Sequence, residues 1–405
     1  MLKKETRVQK MLEIETRIYE EEYIKLMNQL GAVFHGELGF RNAQNYVKGL
    51  LGPIERKNGW QMSEYLGETS PYKLQQFIYR GSYEADEMRD IMRDYIGEAI
   101  GEEDGNLVID DTGFLKKGKK SCGVKRQYTG TAGKIENCQI GVFLTYASSK
   151  GHSPIDRRLY IPEEWMEDKE RLKEAGVPET AKFQTKPQMG LEMIQEATKA
   201  GVPYKWVTGD SAYGDYREIR RWLEKNNKYY VMCVSGKEHI WCGNKKISVA
   251  KVLKDLKEDA WFEASCGDGS KGPRIYDWQA FDIESSDCPE GWKRTMLVRR
   301  SKSDGDLQAH ICCAPAVTPN EKLIEIAGIR WTVETCFQES KSEVGLDHYE
   351  VRSYTGWYNH ITFACIALAL LTVLSSLSFD GMPIQQHDPK SSSLSEFKKK
   401  RSLRV

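Results

Sequence analysis

The chain has 405 residues, enough for a large core and roughly two to three domains. Lys plus Arg and Asp plus Glu each number 59, so the net charge is zero and only local clusters can speak for or against nucleic acid. Ten scattered cysteines with no CxxC pair exclude a disulfide framework and fit a reducing cytoplasm. In chain order, the charged start MLKKETRVQK lacks the apolar core of a signal peptide. Residues 1–104 read as a helical domain, with helices over 11–30, 40–51, 74–79 and 84–100 and a stop at Gly52-Pro53. No helix-turn-helix spacing stands out there.

From Leu107 the texture changes. Residues 107–109 (LVI) read as a strand buried on both faces, ending in Asp110, Asp111 and the turn signal Thr112-Gly113. Strands follow over 139–147, 158–161, 204–208 and 229–234, with helices over 187–200 and 216–225 between them. This order predicts an α/β sheet over 105–235, with strand ends, and so Asp111 and Asp210, converging on one edge. Residues 236–310, with short alternating runs, predict a β-rich insertion. Within it His239 and Cys242 have half the spacing of a zinc site, and a surface hairpin is the simpler reading. The core resumes over 311–378, where Pro319 opens one long helix over 321–344 ended by Gly345. The longest apolar run, 361–374, is too short to span a bilayer and reads as a buried helix. Residues 379–405 predict a disordered tail whose last 16 residues carry six Lys/Arg against one Glu.

A carboxylate at the end of a core strand is costly to desolvate unless something pairs with it, and a metal ion is one such partner. On the long helix Arg330, Glu334 and Lys341 share a face, whereas Glu339 lies on the opposite side. A surface ion-pair ladder would give that spacing too; the flanking Trp331, Val333 and Phe337 favour a packed helix. Two magnesium ions would resolve the repulsion among Asp111, Asp210 and Glu334 and serve phosphodiester chemistry. Two other motifs fail. Gly113–Lys119 fits a phosphate loop by letters, but Lys120 stands where a Ser or Thr is needed; Gly267-x-Gly269-x-x-Gly272 runs straight into Pro273.

The blocks IDDTG, VTGDSAYGD and IRWTVETCFQESK, with GLDHYEVRSYTGWYNHITF and ERKNGW, resemble the DDE transposases of bacterial insertion sequences. The group they resemble has a β-strand insertion before the catalytic Glu and a YREK signature. By motif, its metal-binding and catalytic carboxylates fall on Asp111, Asp210 and Glu334, and its signature Arg and Lys on Arg330 and Lys341; its Tyr would fall on Ala327, a departure. The resemblance covers residues 30–375 and implies an RNase H-like catalytic core interrupted by the insertion, with a DNA-binding N-terminal domain. It implies Mg²⁺ dependence, with two ions for which Mn²⁺ substitutes. It also implies cut-and-paste cleavage of terminal inverted repeats and strand transfer to target DNA, by a homodimer or higher multimer. The setting implied is the bacterial cytoplasm, at the nucleoid and off the membrane. Lys116, Lys117, Lys119, Lys120, Lys125 and Arg126, in a stretch without an acid, are expected to contact DNA phosphates. Trp241, Trp261, Trp278 and Trp292 are candidates for stacking on an unpaired base. A nuclease that never joins and a transposase-derived DNA-binding regulator are the alternatives.

Overall fold

The strands are β1 (Asn106–Leu115), β2 (Lys125–Thr129), β3 (Lys134–Ser148), β4 (Gly151–Tyr160), β5 (Trp206–Gly209), β6 (Tyr229–Val234), β7 (His239–Cys242), β8 (Lys245–Ser248), β9 (Phe262–Gly269), β10 (Gly272–Ile283), β11 (Trp292–Arg300) and β12 (Leu307–Pro315). The computed structural model describes residues 7–242, 245–269, 272–283 and 287–379, and the basic tail expected at the C-terminus lies outside them. Strand β1 outruns its apolar start. Along one edge it pairs with antiparallel β3 as far as Leu115. Along the other it pairs with parallel β5, and that pairing stops at Ile109 opposite Gly209. Asp110 and Asp111 therefore do not end their own strand, as the Thr-Gly signal suggested; they stand where its neighbour ends. The same extension puts Gly113 inside β1, so the lettering of a phosphate loop describes a strand.

β4, β3, β1, β5 and β6 lie side by side in that order, the first three antiparallel and β5 and β6 parallel to β1. This is the RNase H-like arrangement. β4 is longer than the four residues expected, because its polar stretch is buried and paired: Asp156 is 3 % and Arg157 0 % exposed. Its Pro154 sits opposite Thr145 at a register shift, a place where a missing N–H costs no ladder bond. β12, β11, β10 and β9 continue the sheet past β6 as an antiparallel meander, so the insertion's main strands extend the central sheet. β7 and β8 form a separate two-stranded hairpin carrying His239 and Cys242.

One face of the sheet is covered by the helix Lys186–Lys199, opened by a Thr185–Gln188 capping box with Pro187 in its first turn. Gly190 lets it approach β1; a Cβ there would lie 2.0 Å from Ile109 Cδ1. The other face carries the helices Asn320–Ile329 and Trp331–Val344, which the sequence pattern presented as one helix but which break at Arg330. The first packs on Trp206, Val231, Cys266, Trp278 and Leu297.

The helices Arg7–Gly31, Glu37–Leu51, Tyr72–Arg80 and Ala85–Ile100 gather around the last helix, Tyr354–Phe379, and Gly59–Tyr65 packs on Glu37–Leu51 and Tyr72–Arg80. Phe363 of that helix meets the rings of Phe34, Tyr46, Phe77 and Tyr83, with centroids 5.2 to 6.5 Å away. Tyr46 Oη and His360 Nδ1 lie 2.7 Å apart. Tyr354–Phe379 is long and apolar enough to cross a membrane, but it is buried inside the protein. Buried Arg89 ties Ala85–Ile100 to β4 and to Lys186–Lys199 through Asp156 (2.8 Å) and Glu196 (3.0 Å). The result is one apolar cluster running from Leu26 to Leu374.

Candidate active site

Asp210 lies one step beyond the Ile109–Gly209 pair, in extended backbone, and caps the short helix Ser211–Gly214 by accepting a bond from the Ala212 N–H at 2.9 Å. Residues opposite one another in a parallel register share a face, so Asp210 shares its face with Asp110, and Asp111 takes the other. The neighbours agree. On the Asp110 side, Thr112 receives Lys341 Nζ at 2.8 Å and Phe114 packs on Tyr349 and Trp357. On the Asp111 side, Lys186 Nζ lies 2.7 Å and Tyr213 Oη 3.2 Å from Asp111 Oδ2.

The sequence reading favoured Asp111 because it directly precedes Thr. The structure instead gives Asp111 a lysine and a tyrosine as partners and leaves Asp110 facing Asp210. Burial, and then repulsion from Asp210 and Asp111, push the Asp110 carboxyl up to about 7, with Arg330 opposing. Asp210 is raised by burial and then by Asp111. Two desolvated acids thus sit together with too little positive charge near them.

Arg330, at the helix break, places Nη1 3.9 Å from Asp110 Oδ2 and Nη2 3.5 Å from Glu334 Oε1. Glu334 is half-exposed in the first turn of Trp331–Val344. Glu339 points away, to His152 Nε2 on β4 at 3.1 Å. Two turns beyond Glu334, Lys341 reaches Thr112 Oγ1, Thr131 Oγ1 (3.2 Å) and the Gly113 carbonyl (3.4 Å). Burial lowers its pKa, and among the described residues no carboxylate lies within ion-pair distance of it. Among the described residues no three His, Cys, Asp or Glu side chains are grouped tightly enough to hold an ion as they stand. The Arg330 guanidinium bridges Asp110 and Glu334 instead.

The basic stretch divides. Lys120 pairs with Glu174 and Lys125 with Glu164. Lys116 lies 3.5 Å from the centre of the Tyr349 ring, and burial brings it down to about 8. Lys117, Lys119 and Arg126 are exposed. Of the four tryptophans, Trp278 is core, Trp292 packs on Tyr229, Trp261 lies beneath Arg300, and Trp241 is open to solvent. Sequence reasoning missed Lys186 and Tyr213. The SAYGD block after Asp210 held a hint of the second; nothing marked the first.

Residues 33–251 match the family of DDE superfamily endonucleases, and residues 184–370 the transposase DDE domain. The chain belongs to the DDE superfamily endonucleases. The probable transposase for insertion sequence element IS701 of Microchaete diplosiphon is 24 % identical over 314 residues, 76 % of this chain and 75 % of the relative. This DDE protein is accordingly a transposase of the insertion-sequence kind. A more distant likeness, with a TM-score of 0.46 and 12 % identity over 92 % of this chain and 75 % of the other, is to the cryo-EM structure of a piggyBac transposase synaptic complex with hairpin DNA.

Proposed function

We propose that this transposase cuts the ends of its element and joins them to target DNA, using Asp110, Asp210 and Glu334 as its acidic trio. The observation that carries the reading is the parallel register that sets Asp110 beside Asp210 where β5 ends, with the Arg330–Glu334 turn against them. The donor set fits divalent magnesium, with manganese able to substitute: all three residues offer hard oxygen ligands. The half-buried Asp110 and Asp210 carry a repulsion that cations would relieve. Bound by these three residues, two such ions would supply activation of the attacking oxygen and stabilisation of the leaving one.

The protein's own groups do the rest. Arg330 offers a planar fork to a DNA phosphate. Lys341 presents a desolvated ammonium held by two hydroxyls and a carbonyl with no carboxylate, which a phosphate would complete. Lys186 pairs with Asp111 on the other face and offsets its charge, whose field still reaches Asp110 and Asp210. Lys117, Lys119 and Arg126 lie exposed for the backbone of a duplex. Joining two ends calls for at least two copies of the chain on the DNA.

Asp110→Asn, Asp210→Asn and Glu334→Gln are each expected to abolish Mg²⁺-dependent cleavage of a duplex carrying the element's end while leaving duplex binding near wild type. Cleavage surviving in one of them removes that residue from the trio. Joined products with target DNA separate a transposase from a nuclease that only cuts.

A further inference from the structure

A groove opens beyond the far end of β1. Its first part is a cavity of about 370 Å³ whose lining includes Arg56, Lys116, Lys117, Lys119, Lys120 and Arg352, against two acids, Asp347 and Glu350. Arg56, Lys117, Lys119 and Arg352 are exposed and have no carboxylate within ion-pair distance among the described residues. Across a shared wall of Tyr349, Glu350 and Val351 lies a second cavity of about 270 Å³, lined by Asn58, Gln75, Gln76 and Tyr79.

The helix Tyr72–Arg80 supplies the second cavity's outer side. Leu74, Phe77 and Ile78 anchor it in the core, while Tyr72 and Tyr79 are 65 % and 45 % exposed. It contains no acid. The side-chain amides of Gln75 and Gln76 make no hydrogen bond to the described residues. Adjacent unspent amides on a helix, next to unpaired cations, complement the edge of a base pair beside a phosphate backbone. A glutamine amide can bond an adenine edge twice, and the cations can hold the strand that carries it.

Given the transposase reading, on which this rests, we infer that the helix Tyr72–Arg80 reads the sequence of the element's end as duplex DNA. The neighbouring Arg56–Lys117–Lys119–Arg352 cavity grips that duplex by its phosphates. Six residues of extended strand separate Asp110 from Lys116, about 20 Å. On a duplex that follows β1, the phosphates gripped there lie about six nucleotide steps from the cleaved bond.

The test is fluorescence anisotropy with two labelled duplexes, one of the element's terminal sequence and one shuffled. Wild-type protein binds the terminal duplex more tightly. The double variant Gln75→Ala/Gln76→Ala loses about tenfold or more on the terminal duplex and nothing on the shuffled one. The double variant Lys117→Ala/Lys119→Ala weakens on both, and its slope of log affinity against log salt falls by about 1.8. Among single base-pair changes scanned along the terminal duplex, those at the read positions reproduce the glutamine loss in wild-type protein and add nothing in the glutamine variant. Full preference for the terminal duplex in Gln75→Ala/Gln76→Ala overturns the inference alone. So does an altered oligomeric state of that variant with unchanged DNA binding, which would make the groove a protein contact. An unchanged salt slope in the lysine variant removes the phosphate grip. Wild-type protein that neither prefers nor cuts the terminal duplex overturns the transposase reading itself.

Discussion

One peptide step along a strand turns a side chain to the opposite face, and at Asp110 and Asp111 that step separates two environments. Asp111 has Lys186 and Tyr213 within bonding distance. Asp111→Asn is expected to keep cleavage and to lose on the order of 1 kcal/mol of stability, since the amide oxygen still accepts bonds while the ion pair is gone. Full loss of cleavage with an intact fold would return Asp111 to the trio. Asp110 carries a pH signature. Its folded-state carboxyl, held at about 7, lies above its ordinary range. The unfolded chain ionises it near pH 4 and the folded protein only near pH 7, so this group's contribution is complete below pH 4 and is lost as pH rises to 7. In chelator, the melting temperature of Asp110→Asn relative to wild type is therefore expected to rise between pH 5 and pH 8, and saturating Mg²⁺ is expected to shrink the difference. A gap that stays constant with pH would mean that Asp110 is not strained against its neighbours.

Among the elements, Trp331–Val344 carries the most chemistry per residue. Its end is fixed by Gly345 at φ 66°, where a Cβ would meet Lys57 Cγ at 2.5 Å. Lys341→Met is expected to change stability by no more than about 1 kcal/mol, because the bonds it loses run to hydroxyls and one carbonyl. Cleavage is expected to slow about tenfold or more as a phosphate loses its cation, with partial recovery in Lys341→Arg. Wild-type cutting rates in Lys341→Met at saturating DNA and metal would take this helix face away from the DNA. Most of the element order was legible in the sequence: apolar runs gave β1, β5 and β6, and Gly345 gave the helix end. Which face Asp110 and Asp111 each take was not, because a strand buried on both faces has no alternation from which to read parity. β4 was hidden for a related reason: its Asp156, Arg157 and Arg158 look solvated until the arginine and carboxylate partners from distant segments are placed beside them. The break at Arg330 has no Pro to mark it, and Gly328 just before it reads equally well as the close approach to Cys266 that it makes.

Across the whole molecule, a single core joins the first described helices to the last one. Phe34, Tyr46, Phe77 and Tyr83 from the N-terminal helices close on Phe363, and Asn359 Nδ2 donates to the Ile78 carbonyl at 2.9 Å. The segment those early helices need is therefore made after every other described element. Until Tyr354–Phe379 emerges, the apolar sides of Arg7–Gly31, Glu37–Leu51 and Tyr72–Arg80 that close on it stay uncovered, and chains in that condition aggregate or engage chaperones. A chain stopped before Tyr354 still contains Asp110, Asp210 and Glu334, yet it is expected to be insoluble and unable to cut, read as pelleting after lysis and no cleavage from any soluble fraction. A soluble, cutting fragment would contradict this dependence. Cutting competence then waits for Tyr354–Phe379, so a message broken anywhere upstream of that helix is expected to yield no partial nuclease loose in the cell.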